Sequence, residues 1–234
     1  MQAGTPGVRA QAFELSDGAL QGLKWIALLA MVGDHVNKYL LGEQVPLLYE
    51  LGRVAMPLFA LVLGVNLARP RALQERVYGR VVRRLLVYGG LATVPFIALR
   101  GHIAFGLPLN VMLTLALAAG VLYFLDRRRP TDPLIATALF LFGGLFVEFW
   151  WPAVLITIGS WSCARGMRLR GASMVAIGLI GLSAINGNSW AWLAIPIVLI
   201  VATLDPNVPR LRTLFYAFYP AHLAVLWLVK VLQP

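Results

Sequence analysis

"GALQGLKWIALLAMVGDHVNKYLL" (18–41) is the stretch on which the fold turns. It is an apolar run long enough for a helix to cross about 30 Å of hydrocarbon, which takes ~20 residues. Near its far end it carries Asp34, His35 and Lys38. A charge at the bilayer centre costs at least ~2.5–3.5 kcal/mol on insertion scales, so each such residue needs a partner or a chemical task.

Composition extends this reading to the whole chain. Of 234 residues, 59% are hydrophobic and only 13% are charged, with a mean hydropathy of +0.77. A water-soluble domain carries far more charge. The chain therefore reads as an all-α, polytopic membrane protein with about nine transmembrane helices in one bundle. Helical length and Pro, Gly and charge punctuation place the spans at 18–41, 46–68, 82–99, 108–125, 133–148, 152–164, 172–185, 190–204 and 213–231. Residues 1–17 form a short N-terminal segment without a cleavable signal, and 18–234 a single transmembrane domain.

A net charge of +10 raises the question of nucleic acid. The distribution answers it. The arginines cluster in short connections: "ARPRALQERVYGRVVRR" (68–84), "DRRRP" (126–130), "ARGMRLRG" (164–171) and "NVPRLR" (207–212). Such clustering is the positive-inside pattern of a cytoplasmic face. Counting spans from a cytoplasmic N-terminus puts all four clusters on that side, and no nucleic-acid partner is called for. The location expected is a membrane, multi-pass, with the N-terminus on the cytoplasmic side.

The polar residues left inside apolar runs are few: Asp34, His35, Arg53, Asn66, Asn110, Thr114, Glu148, Tyr216, Tyr219 and His222. Neighbours on a helix diverge by about 100°, so Asp34 and His35 address different partners. Arg53 faces Asp34 across a short hairpin and suits a forked ion pair. That pair has two open readings, a structural bridge between helices or part of a site. His35 shares a stripe with Leu28, Met31 and Val32.

Pro220 deprives the carbonyl of Tyr216 of its helical partner one turn from His222, a kink that suits either packing or a site. Pro57 does the same to the carbonyl of Arg53. The stripe Arg76, Arg80, Arg83 and Arg84 also has two open readings: topology and contact with anionic membrane lipids, or binding of a phosphorylated donor. The single Cys163 excludes a disulfide framework, and His35, His102 and His222 lie on separate elements with no paired carboxylate beside them, so no metal is expected.

"LKWIALLAMVGDHV" (23–36), "LGRVAMPLFALVLG" (51–64), "NVMLTLALAAGVL" (110–122) and "LFYAFYPAHLAVL" (214–226) together resemble the TraX family of conjugative plasmids, the pilin acetylases, and its TrbP-like relatives. The order is kept over nearly the whole chain. The family is similar in organisation to integral-membrane acyltransferases. Resemblance implies acetyl-CoA as donor and the amino terminus of a pilin subunit as acceptor, with other conjugation-apparatus proteins as further partners.

By position, the family pattern falls on Asp34, His35, Arg53, Pro57, Asn110, Thr114, Tyr219, Pro220 and His222, with Glu148 where a family acid is expected. The implied catalytic set is His35, Asp34, Arg53 and His222. Asn110, Thr114, Glu148, Tyr219, Arg80 and Arg84 would bind substrate or donor. Acyl transfer has a clear requirement for a base, because an α-amino group of pKa about 7.7–8.0 is largely protonated at neutral pH. His35 is assigned that task, as base or as covalent carrier, and His222, Asn110 and Tyr219 the stabilisation of the oxyanion. Two other functions fit the same residues: a proton-coupled transporter and a non-catalytic pilus-assembly factor.

Overall fold

The structure is a computed structural model that describes residues 15–101, 107–209, 211 and 213–233. The expected N-terminal segment up to residue 14, His102 and two arginines of the 207–212 cluster lie outside the described residues. Ser16 caps the first helix, its hydroxyl accepting from the Ala19 amide at 2.9 Å, with Asp17 in the first turn complementing the helix dipole.

The helices are α1 (Asp17–Tyr39), α2 (Pro46–Gly52), α3 (Ala55–Ala68), α4 (Val77–Arg100), α5 (Val111–Arg127), α6 (Asp132–Ala138), α7 (Trp150–Ala164), α8 (Arg168–Asn186), α9 (Ala194–Leu204) and α10 (Leu214–Leu232). A π-helical turn, Leu139–Gly143, extends α6, and a 3-10 turn, Trp190–Leu193, leads into α9. Among the described residues the extended structure is one parallel bridge, Leu109 with Val147.

Helical segments occupy each of the nine stretches expected from the sequence. Four of them are long and apolar enough to cross a membrane: Pro46–Ala68, Val77–Arg100, Arg168–Asn186 and Leu214–Leu232. The expected count of about nine crossings is thus carried by length and composition at four. The first stretch is long but holds Asp17, Lys24, Asp34 and Lys38, and α5, α7 and α9 are shorter than a full span.

Side-chain contacts sort the helix ends into two groups. Arg69 pairs with Asp17, Arg165 with Asp126 at 2.8 Å, and Ser16 with Asp205, which joins the ends of α1, α3, α5, α7 and α9. At the other end Tyr49 donates to the carbonyl of Asn186 at 3.1 Å, Arg100 meets Glu148 at 3.2 Å, and Lys230 donates to the carbonyl of Leu99 at 3.2 Å. Among the described residues, the arginine-rich connections 68–84, 126–130 and 164–171 share the first end.

α3 is the axis. It is buried nearly all round, as a helix apolar on every face must be, and it enters four apolar clusters: with α1 and α9, with α5 and α7, with α7 and α8, and with α1, α4, α5 and α10. A Cβ at Gly64 would run into the carbonyl of Thr157, so this glycine sets how closely α3 approaches α7. On the periphery Leu86, Leu91 and Val94 of α4, Ile177 and Ile180 of α8, and Val225, Leu228 and Val231 of α10 are exposed. So much apolar surface facing outward on long helices is the mark of a membrane protein.

Candidate active site

Pro57 has no amide hydrogen to offer the carbonyl of Arg53, and the helical run breaks between α2 and α3 at Arg53 and Val54. The break presents the guanidinium at the flank of α1. Its Nη2 donates to Asp34 Oδ1 at 2.6 Å, its Nε to the Tyr49 carbonyl at 3.1 Å and its Nη1 to Asn186 Oδ1 at 3.4 Å, while the group lies 4.1 Å from the Tyr49 ring. The Asp34 and Arg53 side chains are 16% and 14% exposed. Gly52 makes this possible, because a Cβ there would collide with the side chain of Asp34.

One residue further along α1, His35 turns to α10. Its Nδ1 lies 2.7 Å from Nε2 of His222, with the two rings nearly parallel at 4°. His222 Nδ1 in turn lies 3.2 Å from the carbonyl of Phe218. The imidazole therefore binds its own helix one turn back, rather than the Tyr216 carbonyl that Pro220 leaves without a partner.

These distances settle the tautomers of the neutral pair. A carbonyl only accepts, so His222 carries its hydrogen on Nδ1 and its Nε2 accepts. His35 then donates from Nδ1, and its Nε2 is the nitrogen with the free lone pair. An imidazole oriented by a hydrogen bond on its other nitrogen is the arrangement of a general base.

Two cavities approach this pair. The smaller, about 300 Å³, is lined by Asp34, His35, Lys38, Arg53, Arg100 and Glu148 among others. The larger, about 470 Å³, lies toward the arginine-rich end, with Lys24, Arg69, Arg80 and Arg84 among its polar lining and Leu28, Val62 and Leu85 among its apolar lining. Met31, Phe59, Val111 and Tyr219 line both. The Tyr219 ring centre stands 5.4 Å from His222 and 6.5 Å from His35.

The structure brings together Asp34 with Arg53, His35 with His222, and Tyr219 with both histidines. Arg80 and Arg84 line the larger cavity, Arg84 lying 5.7 Å from the Tyr216 ring. Asn110 and Thr114 are instead occupied by the fold. Asn110 caps α5 by accepting from the Met112 amide at 3.1 Å, and its Nδ2 donates to the Gly89 carbonyl at 2.8 Å and to Thr93 at 3.1 Å. Thr114 donates to the carbonyl of Glu148 at 3.0 Å. Both are buried, and their donors position protein groups.

What they position is the turn that carries Glu148. The amide of Leu109 donates to the Phe146 carbonyl at 2.7 Å and the Glu148 amide to the Leu109 carbonyl at 2.8 Å. Immediately beyond, Phe149 and Trp150 have φ of 60° and 46°, a left-handed backbone that costs side-chain-bearing residues of order 1–3 kcal/mol each and clusters at functional sites. Arg100 was not singled out by sequence reasoning as a site residue, nor were Tyr39, Tyr49 and Asn186. A cation at the end of an apolar span was the available signal for Arg100; the others carry none.

The TraX protein family model matches residues 19–230. Protein TraX of Escherichia coli is 27% identical over 226 residues, covering 90% of this chain and 87% of that protein. No solved structure matches the chain.

Proposed function

We propose, from the premise that this chain belongs to the TraX family, that it is a membrane-embedded acyltransferase moving an acetyl group from acetyl-CoA to the amino terminus of a conjugative pilin. The observation that carries this reading is the wall of Met31, Phe59, Val111 and Tyr219 shared by two cavities, with the His35–His222 pair beside it. The larger cavity suits a polyphosphorylated donor and the smaller one a small amine acceptor, and the wall between them suits a transfer step.

In the proposed orientation the arginine-rich end faces the cytoplasm, following the positive-inside rule, in the bacterial inner membrane. Lys24, Arg69, Arg80 and Arg84 hold the donor's phosphates by charge-assisted hydrogen bonds. Glu148 and Asp34 receive the pilin amino group in the smaller cavity, where Arg100 and Arg53 hold them. His35 Nε2 takes the ammonium proton and the amine attacks the thioester carbonyl. As the C–N bond forms, the surplus proton on nitrogen passes to solvent. The C–S bond then breaks and coenzyme A leaves as the thiol, carrying the proton that His35 returns. His222 holds His35 in the reactive tautomer, and Tyr219 offers its hydroxyl to the oxyanion.

The proton-coupled transporter has weaker support. Its relay would run from His35 to His222 and end on the Phe218 carbonyl, which passes no proton on.

Mass spectrometry of the candidate pilin from cells holding this protein, its His35→Ala variant or neither tests the reading. An acetylated amino terminus is expected with the intact protein alone. Acetylation that survives His35→Ala at matched protein level removes the assigned base, and no acetylation with the intact protein removes the acetyl-transfer reading.

A further inference from the structure

The wall between the cavities is built of side chains that line both of them. Met31 and Phe59 each line the larger cavity and the smaller one. Phe59 projects from α3, the buried axis of the fold, and packs against the clusters holding Ala27 and Ala55. Its ring is therefore held in place from behind. Met31 lies on α1, one turn before His35, and is unbranched and adaptable. Behind the wall on the arginine-rich side the lining turns apolar, with Leu28, Val62 and Leu85.

A thioester entering from that side with its phosphates on Lys24, Arg69, Arg80 and Arg84 puts its acyl end against this wall. For the carbonyl carbon to come within reach of an amine on the other side, about 3–3.5 Å, the carbons beyond it must find room beside Phe59 and Met31. A methyl group needs little. Each further methylene needs space that these two side chains fill.

We propose that Phe59 and Met31 are the residues that select the acyl group by length, closing the space between the two cavities to anything much longer than acetyl. This rests on the acyltransferase reading. The selection is steric: Phe59 supplies the fixed limit, and Met31 supplies the part that shifts to let the acetyl carbonyl through.

The test uses purified full-length protein in detergent, a pilin amino-terminal peptide, and acetyl-, butyryl- and hexanoyl-CoA in equal amounts, with products separated by mass. Wild-type protein is expected to give the acetyl peptide almost alone. Phe59→Ala is expected to raise the ratio of longer to acetyl product by about tenfold or more, since one methylene in an apolar pocket is worth roughly 10–200-fold. Met31→Ala is expected to move it in the same direction. Phe59→Leu, a milder change, provides the same readout with less risk to folding. Unchanged product ratios in all three variants, or loss of every product in all three, overturn the proposal. Wild-type protein that transfers no acyl group from any donor overturns the acyltransferase reading instead.

Discussion

Nδ1 of His35 stands 2.7 Å from Nε2 of His222, a residue 187 positions further along the chain. Because His222 commits its other nitrogen to the Phe218 carbonyl, the contact assigns the free lone pair to His35 Nε2. Replacing His222 by Ala lets the His35 ring turn and populate the other tautomer. Transfer is expected to fall by about a hundredfold or more, the scale of a positioned acid–base group, with the fall in kcat and not in KM. His222→Gln, whose amide oxygen can accept from His35 Nδ1, is expected to recover part of the rate. Steady-state kinetics on both variants checks this.

Gly52 is the point where α2 touches α1. A methyl group there meets the side chain of Asp34, so Gly52→Ala pushes the helices apart at the Asp34–Arg53 pair. Overpacking of this kind costs about 1–3 kcal/mol. Thermal unfolding in detergent is expected to show a lower midpoint, together with lost activity.

Arg53 makes three hydrogen bonds from one planar group, a geometry that lysine cannot copy. Arg53→Lys is therefore expected to behave much like Arg53→Gln. Breaking a mostly buried pair on one side costs up to about 3 kcal/mol, because a charge is left without its partner. The double variant Asp34→Asn with Arg53→Gln is expected to regain stability over Arg53→Gln alone without regaining transfer. A double-mutant cycle on unfolding midpoints measures the coupling.

Arg84 lies in the larger cavity, remote from the histidine pair. Arg84→Ala is expected to raise KM for the donor by about tenfold, the loss of one charge-assisted contact, with kcat little changed. The same experiment at higher salt should narrow the difference between variant and wild type. A fall in kcat with an unchanged KM would place Arg84 outside the donor site.

Asp132 tests the arginine-rich end away from the membrane. Hydrogen bonds from Arg127 and from the Arg129 amide hold its carboxyl down to about 2, from an ordinary 3.8. A folded value below the unfolded one means that the stabilisation is present above about 3.8 and is lost as pH falls through about 2. Unfolding midpoints of wild type and Asp132→Asn should differ at neutral pH and converge in acid; a gap that persists in acid would mean that packing, not charge, is responsible.

Much of the architecture was legible from the chain. The break in the second span follows from Pro57, and the pairing of Asp34 with Arg53 from a hairpin that sets the two residues opposite each other. Asn110 and Thr114 show the limit of that reading. The family resemblance implies ligand contacts for them, and the structure pairs their donors with the carbonyls of Gly89 and Glu148, partners that no local pattern reports. The histidine pair likewise could be named but not joined: nothing local to either helix reports the rotation of the other.

Sequence by itself determined that this is an all-helical membrane protein, because hydropathy and helix-breaking residues act over a few turns of one chain segment. It also determined which end carries the arginines. Only the tertiary structure decided that His35 meets His222, which nitrogen is free, and that two cavities end on one wall of Met31, Phe59, Val111 and Tyr219. Those facts depend on the register and rotation of α1, α3, α5 and α10 against one another. That register is set by close packing at small residues such as Gly52 and Gly64, a property of pairs of surfaces rather than of any one segment.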